Sequence, residues 1–176
     1  SMLPLAEDLG MVPACVRDVL GQVDVLSLEI QRMPKTYGRR FADLSANPYL
    51  SVATIGTHDM PPLRLWWKTD ADGRQAYWHE AMHREGEAPA DLGAAECESI
   101  IATHLDSPSM LALIALQDYL AMDASLRHPQ PEAEQINDPA NPDQHWTYRM
   151  HLTIEQLAAA TDFNEKLRAL IEKSGR

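Results

Sequence analysis

The sequence predicts an α/β chain of parallel strands joined by helical crossovers, equivalent to half of a (β/α)8 barrel. Apolar, strand-like segments alternate with helical ones about four times along the chain, and that alternation implies parallel strands. In three of these units the apolar run ends in a polar cluster: Glu7-Asp8, His58-Asp59 and Gln117-Asp118. Chemistry in such barrels sits at those C-terminal strand ends. Finally, the chain has 176 residues, whereas a whole barrel takes about 250.

Taken in order, Leu3 to Ala6 is a short apolar segment leading into the polar turn Glu7-Asp8-Leu9-Gly10. Val12 to Leu20 follows, with Val12, Cys15, Val16, Val19 and Leu20 at helical spacing and Pro13 in the first turn. Val23 to Ile30 alternates apolar and polar residues as a strand does. Gln31 to Asn47, broken by Pro34 and Gly38, reads as a long loop with room for a short helix. Tyr49 to Ile55 is a second strand and ends in Gly56-Thr57-His58-Asp59. Helices are expected over about Gly73 to Arg84 and Gly93 to Leu105, then a core strand over Met110 to Leu116. Pro129 to Pro142 is a Pro-, Asn- and Glu-rich loop. In the helical tail, Thr153 with Gln156 and Asp162 with Glu165 both have capping-box spacing.

Charge narrows the partners. A formal net charge of −11 argues against nucleic acid and against anionic membrane surfaces, both of which need clustered Lys and Arg. Neutral sugars impose no such requirement. No apolar run approaches the roughly 20 residues of a membrane helix, and the opening Ser1-Met2-Leu3-Pro4-Leu5 is too short for a signal peptide. Cys15 and Cys97 stand far apart in no metal-like spacing and read as reduced, buried thiols of a cytoplasmic protein. The chain starts abruptly inside an apolar run, as a truncated domain would. Half a barrel leaves two open strand edges, so the chain is expected to form a homodimer or to need its N-terminal half.

Each polar motif has a plain structural alternative. Glu7 and Asp8 precede a helix, where acids commonly offset the helix dipole. Asp59 could accept backbone N–H bonds within its own turn. As a pair at equivalent strand ends, however, Glu7 and Asp59 could face one cleft, as glycoside chemistry requires. His79-Glu80-Ala81-Met82-His83 matches the zinc-hydrolase pattern H-E-x-x-H. The helix there is short and solvated, running into Arg84, Glu85 and Gly86, and no third ligand follows at the expected spacing. Trp66-Trp67 and Tyr77-Trp78 could stack on sugars, but such aromatics are more often core, and at most one of the first pair can face a cleft.

As an ordered set, the motifs resemble the 4-α-glucanotransferases of the amylomaltase family. The matching pieces are Ala6-Glu7-Asp8-Leu9-Gly10, Gly56-Thr57-His58-Asp59 with Leu63-Arg64-Leu65-Trp66-Trp67, and Ser107-Pro108-Ser109-Met110. They continue with Leu116-Gln117-Asp118 and with Ile136-Asn137-Asp138-Pro139-Ala140-Asn141-Pro142, Trp146 and Tyr148-Arg149. Ser27 to Pro34 and the Asn-Asp-Pro-Ala-Asn-Pro loop are most similar to the maltose-using branch of plant cytosolic and bacterial enzymes. Gln144, His145 and Thr147 depart from that branch, where His, Tyr and Arg are usual.

The resemblance implies strands five to eight of the barrel over residues 1–128, a substrate-side loop over 129–150 and C-terminal helices over 151–176. It implies that Glu7 is the general acid/base and Asp59 the carboxylate that grips sugar hydroxyls and steadies the oxocarbenium-like transition state. His58 would bond the same sugar, with Gln117 and Asn137 positioning substrate or loop. It implies maltose, maltooligosaccharides and glucan as partners, and neither cofactor nor metal. The family's nucleophile lies upstream of Glu7 in an Arg-x-Asp type motif, so the chain alone is expected to be inactive. Two other readings stay open: a non-catalytic half-barrel that binds or assembles with a partner, and a zinc hydrolase using His79, Glu80 and His83.

Overall fold

A computed structural model describes residues 2–143 and 146–176. Its centre is a parallel sheet in which β1 (Ser27–Ile30) pairs with β2 (Ser51–Thr54), and β2 with β3 (Leu111–Ala112). Ser27 stands opposite Ser51 and Ile30 opposite Thr54. On the far side of β1, Leu5 forms a single parallel bridge with Leu26. All four residues of β2 are buried. A parallel strand in the middle of its sheet is covered on both faces, as β2 is here between β1 and β3.

The helices confirm some sequence boundaries and shift others. α1 (Val16–Gln22) begins four residues later than Val12, and none of its residues is buried. α2 (Leu63–Thr69) and α3 (Ala71–Glu80) meet at Asp70, whose Oδ1 accepts from Gly73 N at 2.8 Å. α4 (Ala94–Leu105) buries Cys97, Ile100, Ile101, His104 and Leu105 along one face. The expected long strand at Met110 to Leu116 shrinks to the two residues of β3, because the chain turns at Ala115 into α5 (Leu116–Leu120). The Ala115 carbonyl accepts from Asp118 N and Tyr119 N at 3.0 and 3.1 Å, which starts that helix. Short 3₁₀ turns occupy Leu44–Ala46 and Pro131–Glu134.

In α6 (Ile154–Ala159) the capping box is complete: Thr153 Oγ1 accepts from Gln156 N, and Gln156 Oε1 from Thr153 N. The second expected box does not form. α7 (Thr161–Lys173) starts at Thr161, so Asp162 already lies inside its first turn.

The main core lies between the sheet and α2 to α5. It gathers Ile55, Leu63, Trp67, Ile101, Leu120 and Met122, and Phe163 of α7 closes it. A smaller cluster of Leu26, Leu28, Ile30 and Val52 packs separately. The aromatics are core, as expected: Trp67 is fully buried and donates from Nε1 to Pro89 O at 2.8 Å, and Trp66, Trp67, Tyr77 and Trp78 meet edge to face. Cys97 is buried, but Cys15 is exposed, against expectation, because it precedes a helix that buries no side chain.

Candidate functional site

Because the strands are parallel, their C-terminal ends lie along one edge of the sheet; His58-Asp59 follow the end of β2, Glu7-Asp8 follow the bridge at Leu5, and Gln117-Asp118 lie within α5. The first cluster divides its two acids. Ala6 N donates to Leu26 O at 2.8 Å and keeps the segment beside β1. Asp8 then turns inward: its Oδ1 accepts from Leu28 N at 2.9 Å, and its Oδ2 lies 2.6 Å from Lys35 Nζ. Lys35 reaches Glu29 Oε1 at 2.9 Å as well, so one ammonium bridges two carboxylates. Glu7 points out, exposed, and takes no hydrogen bond or ion pair among the described residues. The helix-dipole reading fits neither acid, since α1 starts only at Val16.

The second cluster is a tight loop after β2. Met60 N donates to Thr57 O at 3.1 Å and Asp59 N to Thr57 Oγ1 at 3.3 Å. The Asp59 carboxylate is not spent on its own turn. Its Oδ1 accepts from Asn137 Nδ2 at 2.5 Å and lies 3.5 Å from His58 Nε2, and the side chain stays 42% exposed. Asn137 is doubly tied to this loop, because its backbone N donates to His58 O at 3.2 Å. The His58 ring packs against Trp146, centroids 4.6 Å apart. Trp146 is exposed and sits at a φ of 55°, a region that non-glycine residues seldom occupy.

The third cluster is buried rather than presented at a strand tip. Gln117 Nε2 donates to Glu134 O at 3.3 Å, and Asp118 Oδ1 accepts from Leu63 N at 2.9 Å. Burial pushes the Asp118 carboxyl up, opposed by the Leu63 N–H and the nearby Arg32 guanidinium. Gln117 and His58 share a small pocket of about 70 Å³ with Gly56, Pro61 and Ile136. Thus Asp59, His58 and Asn137 form one cluster and Gln117 adjoins it. Glu7 stands on the same edge, but no bond joins it to them.

The structure adds residues with no expected role. Glu134 is buried, with Oε2 3.6 Å from Arg64 Nη1 and with Oε1 lacking a partner among the described residues. Burial lifts its carboxyl to about 7. In the sequence it is one acid in a Pro- and Glu-rich loop, and nothing marks it. Trp146 stands in a quoted motif, but its contact with His58 spans 88 positions and leaves no local signal. Gln144 and His145, two of the departures noted above, lie outside the described residues.

The zinc pattern does not assemble. α3 ends at Glu80, and His83 has a φ of 53°, so His79 and His83 do not lie one helical turn apart on a common face. Both His79 nitrogens have contacts, Nδ1 with Arg84 O at 2.8 Å and Nε2 with Gln75 Nε2 at 2.6 Å. Among the described residues no group of three or more His, Cys, Asp or Glu side chains could hold a metal ion.

A family model described as 4-alpha-glucanotransferase matches residues 1–154. The chain is 34% identical over 175 residues to the 4-alpha-glucanotransferase DPE2 of Oryza sativa subsp. japonica, covering 99% of this chain and 18% of that protein. It is 30% identical over 173 residues to a 4-alpha-glucanotransferase of Chlamydia muridarum, covering 97% of this chain and 32% of that one. In three dimensions it is similar to amylomaltase from Streptococcus agalactiae in complex with acarbose, with a TM-score of 0.71, 19% identity, and 98% and 32% of the two chains covered. Amylomaltase from Corynebacterium glutamicum gives a TM-score of 0.69 at 16% identity, with 96% and 28% covered. The chain therefore spans about a third or less of the length of these relatives.

Proposed function

Since the chain belongs to the 4-alpha-glucanotransferase family, we propose that it forms the C-terminal half, strands five to eight, of a barrel that transfers α-1,4-glucosyl units. Donors would be maltose and maltooligosaccharides, and acceptors larger glucans. The observation that carries this reading is the Asp59 carboxylate, half-exposed at the sheet edge and fixed by Asn137 beside His58. A carboxylate so held is already oriented, and it accepts hydrogen bonds from sugar hydroxyls without reorganising. As positive charge develops on the sugar ring in the transition state, the same carboxylate stabilises it.

Glu7 takes the acid/base role. It protonates the departing glycosidic oxygen, then removes a proton from the incoming hydroxyl. Its carboxylate is exposed in this chain, so in this reading the walls that exclude water around it come from elsewhere in the complete catalytic domain. His58 bonds the sugar held by Asp59, while Asn137 and Gln117 hold the surrounding loops. Retention also needs a nucleophilic carboxylate about 5–5.5 Å from the acid/base. In our reading that group lies on a strand upstream of Glu7, and these 176 residues alone do not turn over. The exposed edge at Leu3 and Leu5 pairs with that upstream half or with a second copy of the chain.

The test is glucose release from maltose with glycogen as acceptor. The purified chain is expected to release none, and the chain joined to the upstream portion of a longer relative to release glucose. Turnover by the purified chain alone would overturn the division of the site between two halves.

A further inference from the structure

The loop bearing His58 and Asp59 is tied at both of its ends by a single side chain, and we infer that Arg32 is the positioning residue that sets the place of the Asp59 carboxylate. Arg32 lies two residues past β1. Its Nε donates to Ile55 O at 3.2 Å, and its Nη2 to Ile55 O at 3.1 Å and Pro61 O at 3.3 Å. Ile55 and Pro61 immediately flank the loop of residues 56–60. One planar fork thereby closes both ends of the loop, a geometry that a lysine ammonium cannot reproduce.

The surroundings hold the fork in place. The Trp66 ring lies 4.9 Å from the guanidinium carbon. Asp118 supplies an opposing charge, and its Oδ1 also fixes Leu63 N at the start of α2, just beyond the loop. Gly56 completes the fit: a Cβ there would stand 2.7 Å from Arg32 Nη2. That atom is the end of a side chain, but its hydrogen bonds to two carbonyls prevent it from withdrawing freely.

Stability alone does not account for this arrangement. Nη1 is buried with no partner among the described residues, and a buried cation with an unused donor is commonly no better for folding than an apolar residue of similar size. What the guanidinium provides, and an apolar side chain does not, is a fixed distance between Ile55 and Pro61. That distance sets where Asp59 meets Asn137.

The link from loop position to turnover rests on the catalytic role proposed above for Asp59; the clasp itself is read independently. Amide hydrogen exchange is measured on this chain and on its Arg32→Lys and Arg32→Met variants. Met60 and Asn137, whose amides bond Thr57 O and His58 O, report on the loop, and Ala6 and Leu113, bonded to Leu26 O and Ala53 O, report on the sheet. Arg32→Lys is expected to raise exchange at Met60 and Asn137 about tenfold while leaving Ala6 and Leu113 within about twofold. Arg32→Met gives the same pattern if it folds, and the lysine variant decides the matter if it does not. Exchange at Met60 and Asn137 within about twofold of wild type, or an equal rise at all four amides, would overturn the assignment. In the chain joined to an upstream half, Arg32→Lys is expected to lower kcat ten- to a hundredfold with KM held within about twofold. An inactive parent in that assay would refute the transferase reading and leave the exchange result to decide the clasp.

Discussion

Asp59 and Glu7 sit on one sheet edge but are held in opposite ways. Asp59 is bonded by Asn137 and flanked by His58, whereas Glu7 is exposed beside an Asp8 already committed to Leu28 N and Lys35. Asn137→Leu removes the bond that orients Asp59, and in the complete site it is expected to lower kcat about tenfold with little change in KM. Steady-state kinetics on the joined protein check this. Glu134 gives a pH signature. Its carboxyl has a reference pKa of 4.5 and is lifted by burial to about 7. Between those values the folded state keeps a proton that the unfolded state has lost, so this contribution to stability falls as pH rises from about 4.5 to about 7. Glu134→Gln removes that slope: relative to wild type, its Tm should be higher at pH 8 than at pH 4, by about 5 °C. The placement of His58 and Asp59 just beyond a strand was legible because a short polar motif follows an apolar run. Asn137's bond to Asp59 crosses 78 positions, and only the family resemblance singled that residue out.

At the scale of elements, local chemistry predicted what local chemistry controls. The Thr153 and Gln156 capping box forms because both halves of it lie within one turn. Thr153→Ala is expected to cost about 1 kcal/mol, read by thermal or denaturant unfolding. β2 was legible from its apolar run, but the strand expected over Met110 to Leu116 was not a strand over most of its length. Its apolar residues gave no sign that the chain would turn at Ala115 and place Gln117 and Asp118 inside a helix, buried. In α4, His104 is fully buried, with Nδ1 on Ile100 O at 2.8 Å, and burial lowers its pKa to about 4. The unfolded chain binds that proton near 6.5, so this contribution to stability is lost as pH falls from about 6.5 to about 4. His104→Gln should flatten the acid limb of the stability profile while lowering stability at neutral pH, as followed by unfolding at each pH.

For the whole molecule, the order of motifs along the chain was its most informative feature. The parallel sheet and the position of each polar cluster after an apolar segment followed from alternation alone. The relation of Glu7 to Asp59 did not, because alternation carries no distance between strand ends and no hydrogen bond or ion pair joins the two among the described residues. Met2, Leu3, Leu5, Val19 and Val23 are exposed around the N-terminal edge, and an apolar edge of this kind invites a partner. We propose that Glu7 and Asp59 are the acid/base and the stabilising carboxylate of glucosyl transfer. Glucose release from maltose, with glycogen as acceptor, by the joined protein and its Glu7→Gln and Asp59→Asn variants tests both roles directly. Each variant is expected to lose at least about a hundredfold in kcat while remaining folded, and turnover at the parent rate by either would contradict the claim.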